Sequence, residues 1–345
     1  MRRLLITTEG KADVEAAKTA TGVLHFIPEQ VVGLVDSVEA AAGRTLQAAL
    51  GVPHPAPVYA SVGAALEHGQ APTHLLIGIA TPGGEMPPAL RATVLEAIRN
   101  GLHVVSGLHM PLNDDPELRR AAELNGVEIH DVRQPPSSLP VGAMRVLQWP
   151  VRRVLTVGTD CNVGKMTASL RLVDALKRRG RRAAFVPTGQ TGIMIAGWGI
   201  AVDRVISDFL AGAVECLIER VKDEEIAVIE GQGGILHPGF SAVTLGLLHG
   251  ALPDAMILCH KVGRERFRHT QVPIPGPRDM VALYEGLLAP LHPGRVVGCA
   301  LNTSAVSEAV AAEQTELWRQ ETGLPVVDVF RTGAEALVEG LWPIV

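Results

Sequence analysis

Short runs rich in β-branched residues alternate with alanine-rich helical stretches along nearly the whole chain. That rhythm constrains the fold more than any other feature. In the first half RLLIT, VVGLVDS, PVYAS, HLLIGIA, LHVVSGL and VEIHDV read as strands. VEAAAGRTLQAAL, VGAALEHG, PALRATVLEAIRNG and DPELRRAAELNG read as the helices between them. Strands separated by helices pair in parallel, in a sheet covered on both faces. The rhythm fails at RQPPSSLPVGAM, where three prolines and two serines mark a linker. It resumes with RRVLTVG, RRAAFVPT, EIAVIEG, DAMILCH, RVVGCALN and PVVDVF, interleaved with helices such as GKMTASLRLVDALKRRG and SEAVAAEQTELWRQETG. A chain of 345 residues exceeds one ordinary core. The expectation is an α/β protein of two doubly wound, mainly parallel-sheet domains, 1–140 and 141–345.

Several function classes fall away on charge and composition. A net charge of −5 and 3% aromatic residues argue against a nucleic-acid surface. No apolar run reaches the length of a membrane span. MRRLLITTEG breaks after four apolar residues and reads as a first strand, not a signal peptide. Cys161, Cys216, Cys259 and Cys299 form no C-x-x-C pair, and the twelve histidines show no metal-ligand spacing. These features predict a cytoplasmic protein without a metal site. A mean hydropathy of +0.22 predicts that a second copy covers some apolar surface, as in a homo-oligomer.

Ligands of doubly wound sheets lie at the carboxyl ends of the strands, so the residues after each strand carry the functional argument. VLTVGTDCNVGKMTASL runs from strand through a glycine turn into a helix. Gly158, Thr159, Asp160, Asn162, Gly164, Lys165 and Thr167 lie where backbone N–H groups converge on a helix start, with an ammonium beside them. That is a site for phosphate oxygens. Five residues separate the glycines where a regular P-loop has four, and Met166 stands where such loops carry the magnesium-binding hydroxyl.

In IAVIEGQGG, Glu230 ends a strand ahead of a glycine cluster, placed to take a proton or hold a metal-bound water. Thr188, Gln190 and Thr191 in the loop PTGQTGI would orient a small polar ligand. Asn302, closing VVGCALN, can donate to and accept from an adenine edge. In the first half His109 and the pair Gly83 and Gly84 also follow strands, where they would line an interdomain cleft or form turns.

With these pieces assembled, the second half resembles the dethiobiotin synthetase-type P-loop enzymes: GTDCNVGK their phosphate loop, VIEGQGG their acidic strand end, GCALN their adenine-reading asparagine. A closer resemblance spans nearly the whole chain. KTATGVLHF, IGIATPGG, SGLHMPLNDDPEL, GTDCNVGKMT, PTGQTGI and IEGQGGILHPGFSAVTLGLLHG resemble a two-domain family, Rossmann-like in its N-terminal half and P-loop NTPase-like in its C-terminal half. It was long catalogued as of unknown function, and its members include D-glutamate N-acetyltransferases. LLIGIATPGGEMPPALRATVLEAIRNG further resembles the coenzyme A-binding half of acyl-CoA synthetase α-subunits.

The resemblance implies acetyl-CoA and an acidic D-amino acid as substrates, with the P-loop holding coenzyme A phosphates. Amine attack on a thioester requires a base, donors for the oxyanion and cations for the substrate carboxylates. Glu230, His237 and His260 are the candidate bases, and the amides of Gly231 to Gly234 the candidate oxyanion site. Lys261, Arg264 and Arg278 are the candidate carboxylate partners. The alternative is an ATP- and magnesium-dependent ligase or kinase, with Lys165 on the phosphates, Thr167 or Asp160 assisting the metal and Glu230 completing its shell. A nucleotide sensor without catalysis is the third reading.

Overall fold

The computed structural model describes residues 2–12, 16–69, 71–81 and 86–341. The chain divides into two compact units. One comprises Met1–Gln134 with Ile193–Trp198, and the other Pro135–Gly192 with Gly199–Val345. Gly83 and Gly84 lie outside the described residues.

The first unit holds β1 (Leu4–Thr7), α1 (Lys18–Phe26), β2 (Val31–Val35), α2 (Ser37–Ala41), α3 (Leu46–Leu50), β3 (Val58–Tyr59) and α4 (Val62–Glu67). β4 (His74–Ile77), α5 (Pro88–Arg99), β5 (His103–Ser106), α6 (Pro116–Asn125) and β6 (Ile129–Asp131) complete it. Its six strands run parallel in the order β3-β2-β1-β4-β5-β6, a doubly wound sheet. The helix expected over VEAAAGRTLQAAL is two helices. Gly43 turns the chain at φ +64°, and Thr45 caps α3 by accepting the Ala48 N–H. Met194, from the returning segment, is 1% exposed in this unit's core, so sequence-distant residues complete it.

The second unit begins with β7 (Arg152–Gly158), α7 (Lys165–Arg178), β8 (Ala183–Val186), the start of α8 (Gln190–Ala196), α9 (Ser207–Glu219) and β9 (Ile226–Ile229). It continues through α10 (Ser241–Ala251), β10 (Ala255–Lys261), α11 (Pro277–Leu288), β11 (Arg295–Asn302), α12 (Glu308–Thr322), β12 (Val326–Asp328) and α13 (Glu335–Leu341). Its strands are also parallel, in the order β12-β11-β10-β7-β9-β8. β9 and the middles of β7 and β10 are largely apolar and buried on both faces, as central parallel strands must be. This order sets the turn after β7 between the ends of β9 and β10. Glu230 and His260 therefore flank the phosphate loop. No described helix is long and apolar enough to cross a membrane.

Candidate active site

The turn from β7 into α7 has the geometry of an anion nest. Asn162 (φ +54°) and Gly164 (φ +102°) adopt left-handed angles on either side of Val163, and such alternation points successive N–H groups inward. The first bond of α7 joins the Ala168 N–H to the Gly164 carbonyl. The amides of Lys165, Met166 and Thr167 are consequently left for a ligand at the mouth. Thr167 is half-buried on that first turn, beside Met166. The loop is braced from behind: Thr159 N–H donates to the Cys259 carbonyl, and the Tyr284 hydroxyl to the Gly158 carbonyl at 2.7 Å.

Lys165 is 6% exposed, and its Nζ donates to the carbonyls of Asp160 at 2.9 Å and Gly233 at 2.6 Å. Burial lowers its pKa from the ordinary lysine value. The ammonium thus ties the phosphate loop to the glycine cluster after β9. Gly231 is required there, since a Cβ would lie 1.7 Å from the Thr156 carbonyl oxygen. The Gly231 N–H already donates to Thr156 Oγ1 at 2.9 Å, so the expected oxyanion site narrows to the amides beyond it.

Glu230 is buried. Its Oε2 accepts the N–H groups of Thr188 at 3.1 Å and Gly189 at 3.0 Å. Burial pushes the carboxyl up to about 7, against the opposing pull of those amides and of Lys165. Glycines make the room: a Cβ at Gly192 would lie 2.3 Å from Oε2. A carboxyl that changes charge near neutrality, next to an anion nest, suits general-base work.

Other expected residues are held differently. His237 accepts the Gly239 N–H at Nδ1, and Nε2 bonds the Arg268 carbonyl at 2.8 Å. Both ring nitrogens are engaged within the fold. His260 meets Thr159 Oγ1 through Nδ1 at 2.9 Å and stacks on Trp318, ring centres 4.7 Å apart. Burial lowers its pKa to about 4, so the ring is neutral at pH 7 and a weaker base than Glu230.

Asp160 is fully buried, and its carboxylate accepts from Cys161 N–H, Arg268 N–H and Arg264. Arg264 also donates to the Cys161 carbonyl at 2.6 Å. Asp160 and Arg264 thus tie the phosphate loop to the segment after β10.

Thr188 is fully buried and donates to the Glu230 carbonyl at 2.5 Å, bracing the carboxylate's own backbone. The loop expected at Thr188 to Ile193 is partly helix, because Gln190 and Thr191 open α8; both are buried. Asn302 Oδ1 accepts Ser304 N–H, and its Nδ2 would lie 3.6 Å from a Cβ on Gly164. Lys261 pairs with Asn302 in register and lines an open cleft of about 500 Å³ with Arg264, Arg266, Ala305 and Val306. Arg278 is exposed on α11 and donates to the Glu321 carbonyl, sharing no partner with the phosphate loop among the described residues. His109 is exposed in the first unit. Thr156, Arg268 and Trp318 escaped the sequence reading. Each acts through a residue distant in sequence, and no local pattern marks them.

Residues 140–338 match the P-loop domain of DUF1611, a domain of unknown function, and residues 39–135 match the Rossmann-like DUF1611 N-terminal domain. The chain belongs to the DUF1611 family. A DUF1611 protein from Anabaena variabilis, solved by crystallography, is similar to it. The two are 38% identical, with a TM-score of 0.93, and the match covers 99% of this chain and 100% of that one. Two curated relatives are named D-glutamate N-acetyltransferase. The protein from Pseudoalteromonas sp. is 38% identical over 77% of this chain and 80% of its own. The protein from Tritonibacter scottomollicae is 34% identical over 95% of each. Met166 and the five residues between Gly158 and Gly164 therefore stand in a DUF1611 P-loop domain.

Proposed function

We propose that this DUF1611 chain transfers the acetyl group of acetyl-CoA to the amino group of an acidic amino acid, D-glutamate. Its second unit would hold the phosphates of coenzyme A in the nest at Asn162–Thr167, and Glu230 would act as the base. The observation that carries this reading is Glu230, a buried carboxyl pushed up to about 7 beside the Lys165 bridge. The names of two relatives that align over most of the chain support the substrate. Met166 in the hydroxyl position supports phosphate binding without magnesium.

In the reaction the ammonium proton passes to Glu230 and the amine attacks the thioester carbonyl. The C–N bond forms, the C–S bond breaks, and the second proton of the attacking nitrogen passes to the departing thiolate, leaving a neutral amide and a free thiol. N–H groups of the glycine cluster beyond Gly231 are the donors for the oxyanion.

Two assays on one preparation test the proposal. Acetyl-CoA with D-glutamate is followed by free thiol, and ATP with magnesium and a panel of carboxylates by ADP. Thiol release that requires D-glutamate and survives a chelator is expected. ADP formation without thiol release would establish the ligase or kinase reading instead.

A further inference from the structure

A cluster of metal-binding side chains lies in the first unit, far in sequence from the phosphate loop. Among the described residues, one nitrogen each of His103 and His130 and one carboxylate oxygen of Glu128 lie within 4.8 Å of one another. Sheet register assembles them. Val105 pairs with His130, so His103, two residues earlier on β5, faces the same side of the sheet as His130 on β6. His74, first residue of β4, pairs with His103, their ring centres 5.0 Å apart. The cluster sits at the amino ends of β4 and β5, opposite the end where such sheets bind their ligands.

We propose that His103, Glu128 and His130 form a site for a divalent transition cation of the zinc type, fastening the edge strand β6 to β5. Imidazole and carboxylate are the donor set such ions favour, and three protein ligands with water in the fourth position is a common arrangement. Three atoms no more than 4.8 Å apart lie about 2.8 Å or less from a common centre, against metal–ligand bonds of about 2.0–2.2 Å. Each side chain needs to close by less than about 1 Å, a rotamer adjustment within reach of exposed groups. His130 Nε2 and Glu128 Oε2 are already 3.1 Å apart.

Both side chains are open to solvent, 46% and 71% exposed, so an ion can enter without unfolding the edge. A cleft of about 340 Å³ adjoins Glu128 and His130, and Asn113, Arg119 and Glu123 line it with them. His103 Nδ1 accepts the Glu128 N–H at 3.0 Å, which holds the ring beside the Glu128 backbone.

The test is calorimetric titration of chelator-treated, full-length protein with Zn²⁺, and with Co²⁺ to report ligand geometry by absorption. One ion per chain is expected, with a higher melting temperature in its presence. Glu128→Gln, which keeps the side-chain shape, and the double variant His103→Ala/His130→Ala should each weaken binding at least about 10-fold. His269→Ala, at an exposed histidine in the second unit, should not change it. No saturable uptake by the wild-type chain, or undiminished uptake by Glu128→Gln and the double variant, overturns the proposal.

Discussion

Two buried carboxylates stand just past strand ends, one in each unit, and their surroundings treat them differently. Asp36 follows β2. Its Oδ2 accepts Thr8 Oγ1 at 2.6 Å and Gly10 N–H at 2.9 Å, while Oδ1 accepts the N–H groups of Val38 and Glu39. Four donors on two oxygens close a turn and cap α2. Glu230 follows β9 with two backbone amides on a single oxygen and the Gln232 side chain as a further hydrogen-bond partner, and burial pushes it up to about 7. A carboxylate saturated with donors fixes the chain. In Glu230 the hydrogen bonds do not offset the burial, and the carboxyl keeps a proton in play near neutral pH.

That contrast breaks most visibly in catalysis. Glu230→Gln should lower kcat for D-glutamate acetylation about 10²–10⁴-fold, the usual worth of a general base, with far-ultraviolet circular dichroism unchanged. Asp36→Ala should instead destabilise the protein by about 3 kcal/mol in urea unfolding, through a lost cap and orphaned buried amides. Its acetylation rate per folded molecule should match wild type, and a loss of kcat without a loss of stability would erase the distinction.

Lys165→Ala should weaken coenzyme A binding about 100-fold in calorimetry, equivalent to about 2.7 kcal/mol. Unchanged affinity would remove the phosphate loop from the account. The smallest effect is on stability against pH. Glu230's folded pKa is raised, so the folded state holds its proton more firmly than the unfolded chain. Its stabilising contribution is complete below the ordinary carboxylate range and is lost as pH rises through about 7. Wild-type melting temperature should therefore fall across pH 5 to 8 more steeply than that of Glu230→Gln, by the equivalent of about 1–3 kcal/mol.

Both parallel sheets were legible in the sequence because each strand and most helices carry their own local periodicity. α1 and α13 were not, and neither was α8. QTGIMIA overlaps the turn-like GQTG, and its helix is set by what the segment packs against. The phosphate loop was legible for the same local reason: strand, glycines, lysine and helix are contiguous.

The roles of its neighbours were not, because partners remote in the chain decide them. Nothing in TDCNVGK announces that Asp160 will meet Arg264 and the Arg268 amide, or that His237 will use both ring nitrogens within the fold. His103, Glu128 and His130 escape any spacing rule too, since β-sheet register brings them together across two strands.

The most direct test of Glu230 as the base is the pH dependence of kcat for wild type and Glu230→Gln, measured side by side by thiol release in the presence of a chelator. A wild-type rate that climbs through about pH 7, with the limb absent and the rate collapsed in the variant, is the predicted result. An identical limb and an undiminished rate in Glu230→Gln would contradict it.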